Sequence, residues 1–500
     1  MKNINIKILA LFALIAMNSC SDDFIDVKSP DPNTEDFFNS EEDYQDALVA
    51  AYDMLQSTAK IYQLGEIASD NTLCGGQDAL DTPGFQEIDD MIHTPVNAQL
   101  RDIWTWMYTG VNRANYIMEF KDKLDFPNKT SVLAQTRFLR AYYYFQLTKW
   151  FGDVPMAIDT RIQFGDQFEI DRTPQAQVYA QIEEDLEFAA ANLPVTVNQT
   201  GRITKGAAQA LLGKVYLFDK KYPESAAVLK SLIDSGTYRL LTPTEAPLMW
   251  ENEQENNDES VFEIQYSDVD GGSYACFYCL EGNYAIGFNG PREYEGPVFD
   301  FGYSFNVPTQ ESFDAYEDGD IRRDYSILDI VQWLADNPEA SYNENAGYEQ
   351  TGYFNRKYIA RQGDLNRPDP ALTNPNNTRA IRYADVLLMY AEASANANGG
   401  PTTDSYEALN KVHRRAFGLP IDTADASDYS GLSLNAFNDV ILVERRLELM
   451  GEGHRFFDLV RTNKASDYIP GFQSGKHDLF PIPIQEIQLS GERWAQNPGY

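Results

Sequence analysis

Apolar residues recur at intervals of three and four along most of this chain, the spacing that lays one greasy stripe along an α-helix. The stretch "SEEDYQDALVAAYDMLQ" opens on Ser40, a residue that can cap a first turn, followed by acids that suit a helix N-terminus. "LRDIWTWMYTGVNRANYIMEF" predicts another helix, with Trp104, Tyr108 and Val111 on one face that reads as core, while Trp106 points elsewhere. "SVLAQTRFLRAYYYFQLTKWFGDVP" predicts a long helix stopped by Gly152 and Pro155. "TPQAQVYAQIEEDLEFAAANLP" has Thr173 placed as cap, Pro174 in the first turn and Pro194 as terminator.

Two longer stretches read as helix-turn-helix units, at 204–240 and 380–416, and a last strong helix holds "NAFNDVILVERRLELMGEG". In the first unit Leu212, Gly213, Tyr216 and Tyr222 fall at tetratricopeptide-like spacing, with small Ser225 and Ala226 where the second helix approaches the first. Gly213 lets the backbones come close, and Tyr216 and Leu229 are expected to fill the gap. The second unit carries a longer turn around Gly399 and Gly400. By extension, helices at 131–150 and 174–192 form a third unit, and those at 40–56 and 101–120 a fourth. Between about 240 and 375 the pattern breaks. One strand, Val261 to Tyr266, stands among aromatics and glycines, and long irregular stretches within a compact protein are usually functional.

The first residues follow a different rule. Lys2 and Lys7 precede an uncharged run, Ile8 to Met17, that ends at Ser19-Cys20. Spanning a bilayer takes about 20 apolar residues, so this run reads as a secretory signal at 1–19. Cys20 then stands where a lipoprotein thiol is acylated. Acyl chains hold a membrane at roughly 0.8 kcal/mol per methylene, and two or more make a stable anchor. Without residues 1–19, 38 basic side chains face 76 acidic ones. Such a chain is repelled by nucleic acid and anionic lipid, because nucleic-acid binders neutralise phosphates with Lys and Arg. The 30 tyrosines exceed what packing needs and suit sugar or peptide binding as well as core edges.

Catalytic chemistry finds little support. There are four histidines (His93, His413, His454 and His477), with no HExxH and no GxSxG, so metalloprotease and hydrolase-elbow readings fail. A glycosidase needs only two carboxylates at a set separation, but no pair stands out. "CFYC" at 276–279 lacks the second pair of ligands a zinc site needs. A local Cys276–Cys279 disulfide, or one from either to Cys74, is the simpler expectation outside the cytoplasm. "DVDGG" at 268–272 resembles part of a calcium loop but has no closing Glu, so a polar turn is expected and no cofactor is assigned.

Seven motifs in order resemble the SusD/RagB outer-membrane lipoproteins of Bacteroidetes. They are "CSDDFIDVKSP", "RFLRAYYYFQLTKWFGDVP", "GRITKGAAQALLGKVYLF", "ESVFEIQY", "IRYADVLLMYAEA", "ERRLELMGEGHRFFDLVR" and "LFPIPIQEIQLSGERWAQNPGY". The chain departs from the family at His413, where Arg is usual. The resemblance implies a mainly α fold, four tetratricopeptide-like helix pairs beside an irregular ligand-binding lobe. After the signal, 20–240 is an N-terminal helical region. Residues 241–500 hold the lobe and the C-terminal helical region, in one compact unit with 20–240. It further implies a non-enzymatic lipoprotein at the outer membrane, surface-exposed. Such a protein captures oligosaccharide or polysaccharide and acts as a lid on a SusC-like TonB-dependent transporter. The same architecture in the RagB branch takes peptides, and a glycoside hydrolase is the remote alternative.

A sugar site combines an aromatic face for the C–H side of a pyranose with a few placed polar groups. "IASDNTLCGGQD" offers Asp70 and Asn71, and the irregular lobe offers Tyr274, Phe277, Tyr278, Tyr284 and Tyr294. The charges of "ERRLELMGEGHRFFDLVR", by contrast, read as an internal network of ion pairs and helix-end contacts. Arg137 and Arg140 read the same way.

Overall fold

In the computed structural model the described residues are 37–163, 165–269, 281–343, 347–365 and 372–500. Cys20, Tyr274, Cys276, Phe277, Tyr278, Cys279 and Asp270 to Gly272 of the calcium-like turn lie outside them. The helical elements of the N-terminal half are α1 (Glu41–Asp53), α2 (Thr58–Ile67), α3 (Pro83–Asp89), α4 (Ala98–Glu119), α5 (Lys129–Phe151), α6 (Gln175–Asn192), α7 (Lys205–Phe218) and α8 (Tyr222–Asp234). In the rest of the chain, leaving aside five other short α-helices, they are α9 (Tyr284–Asn289), α10 (Tyr383–Ala397), α11 (Thr403–Ala416), α12 (Leu434–Glu448) and α13 (Arg455–Arg461). Strands are few and short: β1 (Thr72–Gly75), β2 (Ser260–Ile264), β3 (Phe305–Pro308) and β4 (Thr378–Arg382) are the ones that position the site.

The local signals explain most of these boundaries. Ser40 Oγ accepts from Asp43 N at 3.2 Å while Asp43 Oδ2 accepts from Ser40 N at 2.8 Å, a reciprocal capping box at the start of α1. α5 ends at Gly152, whose φ of +73° suits glycine. α6 starts differently from expectation. Thr173 pairs with Val154 in a short antiparallel bridge, so Pro174 takes the cap position and no side chain caps the helix. In the α7–α8 pair, a Cβ on Gly213 would lie 2.4 Å from Leu229 Cδ2, and Ser225 Oγ donates to Gly213 O at 2.8 Å. Leu229 therefore fills the gap. Tyr216 does not: its hydroxyl donates to Glu187 on α6 at 2.7 Å, tying α7 to the preceding helix.

The helices share one apolar core that runs from Phe38 to Trp494, and smaller clusters around Trp250 and Phe299 fill the irregular part. Two antiparallel pairings join the parts. β2 lies against β4, with Ser260 opposite Arg382, and β1 lies against β3, with Thr72 opposite Pro308. The second pairing carries the loop after α2 across to the irregular part, which creates the cleft described below.

The charged motif of the last helices is internal. Arg382 Nη1 lies 2.7 Å from Glu259 and 3.0 Å from Glu448, and its Nη2 lies 2.8 Å from Glu452. Arg322 meets Asp320 and Glu444 at 2.7 Å each, and Arg445 meets Asp385 at 2.6 Å and Asp458 at 2.8 Å. His413, the position that departs from the family pattern, sits 3.0 Å from Glu444 and keeps the same network closed. Arg140 is likewise spent inside, bidentate to Asp185 at 2.8 Å.

Candidate functional site

A cleft of about 440 Å³ opens where α2, the α3 turn, the first turn of α4 and the α9 region meet. Its floor is aromatic. The Phe288 ring centroid lies 5.1 Å from Phe305, 5.7 Å from Tyr303 and 5.8 Å from Tyr284, and Phe85 closes the row 5.7 Å from Phe305. Offset and edge-on contacts of this kind hold the rings in place. Phe288 and Tyr284 come together because α9 is a single short turn of helix, and the β1–β3 pairing brings Phe305 beside Phe85.

The rim is polar. Asp81 Oδ2 accepts from the Gln77 backbone N–H at 2.8 Å and stands 3.4 Å from Arg292 Nη2, which also donates to Tyr303 O at 2.7 Å. Lys60 reaches in from α2. Its Nζ donates to Asp102 Oδ2 at 2.8 Å and lies 4.9 Å above the Trp106 ring, which gives Trp106 a role its sequence position left open. Burial lowers the Lys60 amine below its ordinary value, and the Asp102 charge opposes that shift. Two buried polar atoms of the cleft, Gln99 Oε1 and Arg292 Nε, have no hydrogen-bond partner among the described residues and are available to a ligand.

Thr82, on the cleft rim, adopts φ of +52°, a costly conformation for a β-branched residue.

Of the residues singled out in the sequence, Tyr284 lines this cleft. Asp70 and Asn71 sit on the expected loop with their polar atoms turned inward. The Asp70 carboxylate takes Arg455 Nε at 2.8 Å and Nη2 at 2.9 Å, and Asn71 bonds Glu66 at 2.8 Å and Arg446 Nε at 2.9 Å. Tyr294 is 4% exposed and belongs to the Phe299 cluster, its hydroxyl held between Pro297 O and Trp333 Nε1 at 2.9 Å each. Part of what the sequence reading missed lies close to the stretches it singled out, while Lys60, Phe85 and Gln99 come from elsewhere. Gln77 belongs to the very stretch that offered Asp70, and Asp81 follows it. Arg292, Tyr303 and Phe305 follow Tyr284. Cys74, on β1, is a buried free thiol, and burial pushes it up; the lobe cysteines lie outside the described residues.

Asp89 lies behind the α3 turn, where its Oδ2 accepts from Cys74 N at 2.7 Å. Burial is the main reason its carboxyl is pushed up to about 8 from 3.8, with Glu349 and Asp90 adding to the rise. Its folded pKa is above its unfolded one, so this group favours the folded state at low pH and loses that contribution as pH rises from about 4 to 8. Urea unfolding at pH 5 and pH 8 will therefore show a smaller difference between the two pH values in Asp89→Asn than in the parent. An equal difference in both proteins would rule this out.

A helical scaffold that presents an aromatic-floored, polar-rimmed, solvent-open cleft defines a mainly α binding protein. Comparison with known proteins agrees. Residues 330–500 match the SusD family, and residues 23–217 match a family described as starch-binding, associating with the outer membrane. A solved laminarin-binding SusD-like protein is 33% identical, covers 93% of this chain and 100% of its own, and superposes with a TM-score of 0.80. Surface glycan-binding protein A from Bacteroides thetaiotaomicron, solved in complex with laminarihexaose, is 26% identical over 91% of this chain and 99% of its own, TM-score 0.79. SusD-like protein P38 of Formosa agariphila is 28% identical over 532 aligned positions, 100% of this chain and 99% of that one. The chain belongs to the SusD family.

Proposed function

We propose that this protein is a lipid-anchored surface protein that captures oligosaccharide in the Tyr303–Arg292 cleft and passes it to a SusC-like TonB-dependent transporter. The observation that carries the reading is the cleft itself, with five edge-on or tilted rings below and two unpaired polar atoms, Gln99 Oε1 and Arg292 Nε, above. Rings of this kind cover the C–H face of a pyranose, and donors and acceptors at the edge take its hydroxyls. Related proteins described as binding laminarin and surface glycans support the same ligand class, and their descriptions are of binding rather than catalysis. The outer-membrane association in the matching family description supports the location, with Cys20 as the acylated residue and 20–240 and 241–500 acting as one unit. Among the described residues no helix is long and apolar enough to cross a membrane.

The test is calorimetric titration of soluble Ser21–Tyr500 with plant, host and microbial oligosaccharides and with a peptide mixture. Saturable binding to one glycan class is expected, weakened about tenfold or more in Tyr303→Ala, since covering a large apolar side chain is worth roughly 1.5–3 kcal/mol. Saturable binding of peptides alone would replace this reading with the RagB-type one.

A further inference from the structure

The cleft holds two cations, and each already faces a carboxylate. Lys60 Nζ is 2.8 Å from Asp102, and Arg292 Nη2 is 3.4 Å from Asp81. Among the described residues no positive charge of the cleft is left over to meet an anion. Around it the whole chain has a formal net charge of −36, which opposes the approach of a polyanion at any distance the salt does not screen. Asp81 is also held firmly in place. Its Oδ2 accepts from Gln77 N at 2.8 Å, and Gly76 packs so closely that a Cβ there would lie 3.2 Å from that same oxygen and 2.9 Å from the Phe305 ring.

The groups that remain for a ligand are of mixed kind. Arg292 Nε is a donor without a partner, and Gln99 Oε1 is an acceptor without one. Asp81 adds a carboxylate that only accepts. Hydroxyl groups both donate and accept, so a polyol satisfies all three. A carboxylate or sulfate ester accepts only. It would satisfy Arg292 Nε, leave Gln99 Oε1 unpaired, and lie against the Asp81 charge.

We propose that this cleft selects uncharged oligosaccharides, and that Asp81, by matching Arg292, is the residue that excludes glycans bearing uronate or sulfate groups. This rests on the reading of the cleft as the glycan site, and it names the class of glycan the site takes. Asp81 is thereby a specificity residue as well as a hydroxyl acceptor.

The experiment titrates the soluble chain, Asp81→Asn and Arg292→Gln with two panels of matched length. One panel is uncharged (gluco-, xylo- and manno-oligosaccharides, laminarihexaose included), and the other is anionic (oligouronates and sulfated oligosaccharides). The parent is expected to bind one uncharged ligand at least tenfold more tightly than any anionic one, with an affinity that does not change with added sodium chloride. Asp81→Asn should lose affinity for the uncharged ligand and close the gap to the anionic panel by about tenfold, because Arg292 is then unmatched. Arg292→Gln should lose the uncharged ligand without gaining the anionic ones. A parent that prefers the anionic panel, or an Asp81→Asn protein with an unchanged preference, would overturn the proposal while leaving glycan capture standing. Failure of the parent to bind either panel would overturn both. Should Asp81→Asn fail to fold, the salt dependence of the parent and the Arg292→Gln preference still decide the matter.

Discussion

Arg382→Met is expected to cost about 3–5 kcal/mol of stability, the usual consequence of removing one partner from a buried ion network. The side chain of Arg382 is 2% exposed and joins three carboxylates, each 1% exposed, that come from two segments: Glu259 beside β2, and Glu448 at the end of α12 with Glu452 just after it. Methionine fills much of the volume but leaves those acids without their main counter-charge in a medium that solvates them poorly. Arg415, which also meets Glu259 and Glu448, limits the loss without cancelling it. Urea unfolding followed by far-UV circular dichroism measures the effect. Adding Glu448→Gln to Arg382→Met should restore part of the loss, since the cycle removes both charges of one pair. A single variant within 1 kcal/mol of the parent would show that the network does not hold the irregular part to the helices.

The same network sets the acid limit. Burial alone would raise the Glu444 and Glu448 carboxyls, but Arg322 beside the first, and Arg415 and Arg382 beside the second, overcome it and hold both at about 2, below the usual 4.5 of a glutamate. Their folded pKa is depressed, so their contribution is complete above about pH 4.5 and disappears as pH falls toward 2.

Gly453→Ala is the second large effect, about 2–4 kcal/mol from strain and overpacking together. Gly453 has φ of +76°, and a Cβ there would come within 2.4 Å of Tyr62 O and 2.6 Å of Tyr62 Cα. Those are backbone atoms of α2, so no rotamer change relieves the contact. The Gly453 N–H also donates to Glu66 Oε2 at 2.8 Å, which any shift would break. Gly399 provides the control: its φ is +69°, but a Cβ there meets nothing within 4 Å. Gly399→Ala should cost only the backbone strain, about 1–2 kcal/mol. Thermal unfolding of the two variants separates the two causes, and equal losses would mean that the contact with α2 is not tight. Because α2 also carries Lys60, the Gly453 variant should bind glycan more weakly than the Gly399 variant.

The helices were legible because each rests on short-range information. Ser40 and Asp43 cap within four residues, Gly152 ends its helix by its own backbone freedom, and Gly213 faces Leu229 across one turn. Thr173 shows where that information fails: its partner is Val154, nineteen residues away, and a pairing at that distance leaves no mark in a local pattern. Tyr216 fails for a similar reason, since its hydroxyl found Glu187 on a different helix.

The candidate site divides along the same line. Sequence by itself determined that the chain is mainly helical, that its last charged motif is internal, and that two stretches, 67–78 and the irregular part, carry ligand-type side chains. Only the tertiary structure decided which of those side chains face the ligand. Asp70 and Arg455 are 385 positions apart, and their contact turns the most obvious acid of the loop inward, while the β1–β3 pairing carries Phe305 to Phe85 and leaves Asp81 facing Arg292. A residue's type is set by its own codon, but whether it is spent inside or offered to a sugar depends on what the fold brings to its other side.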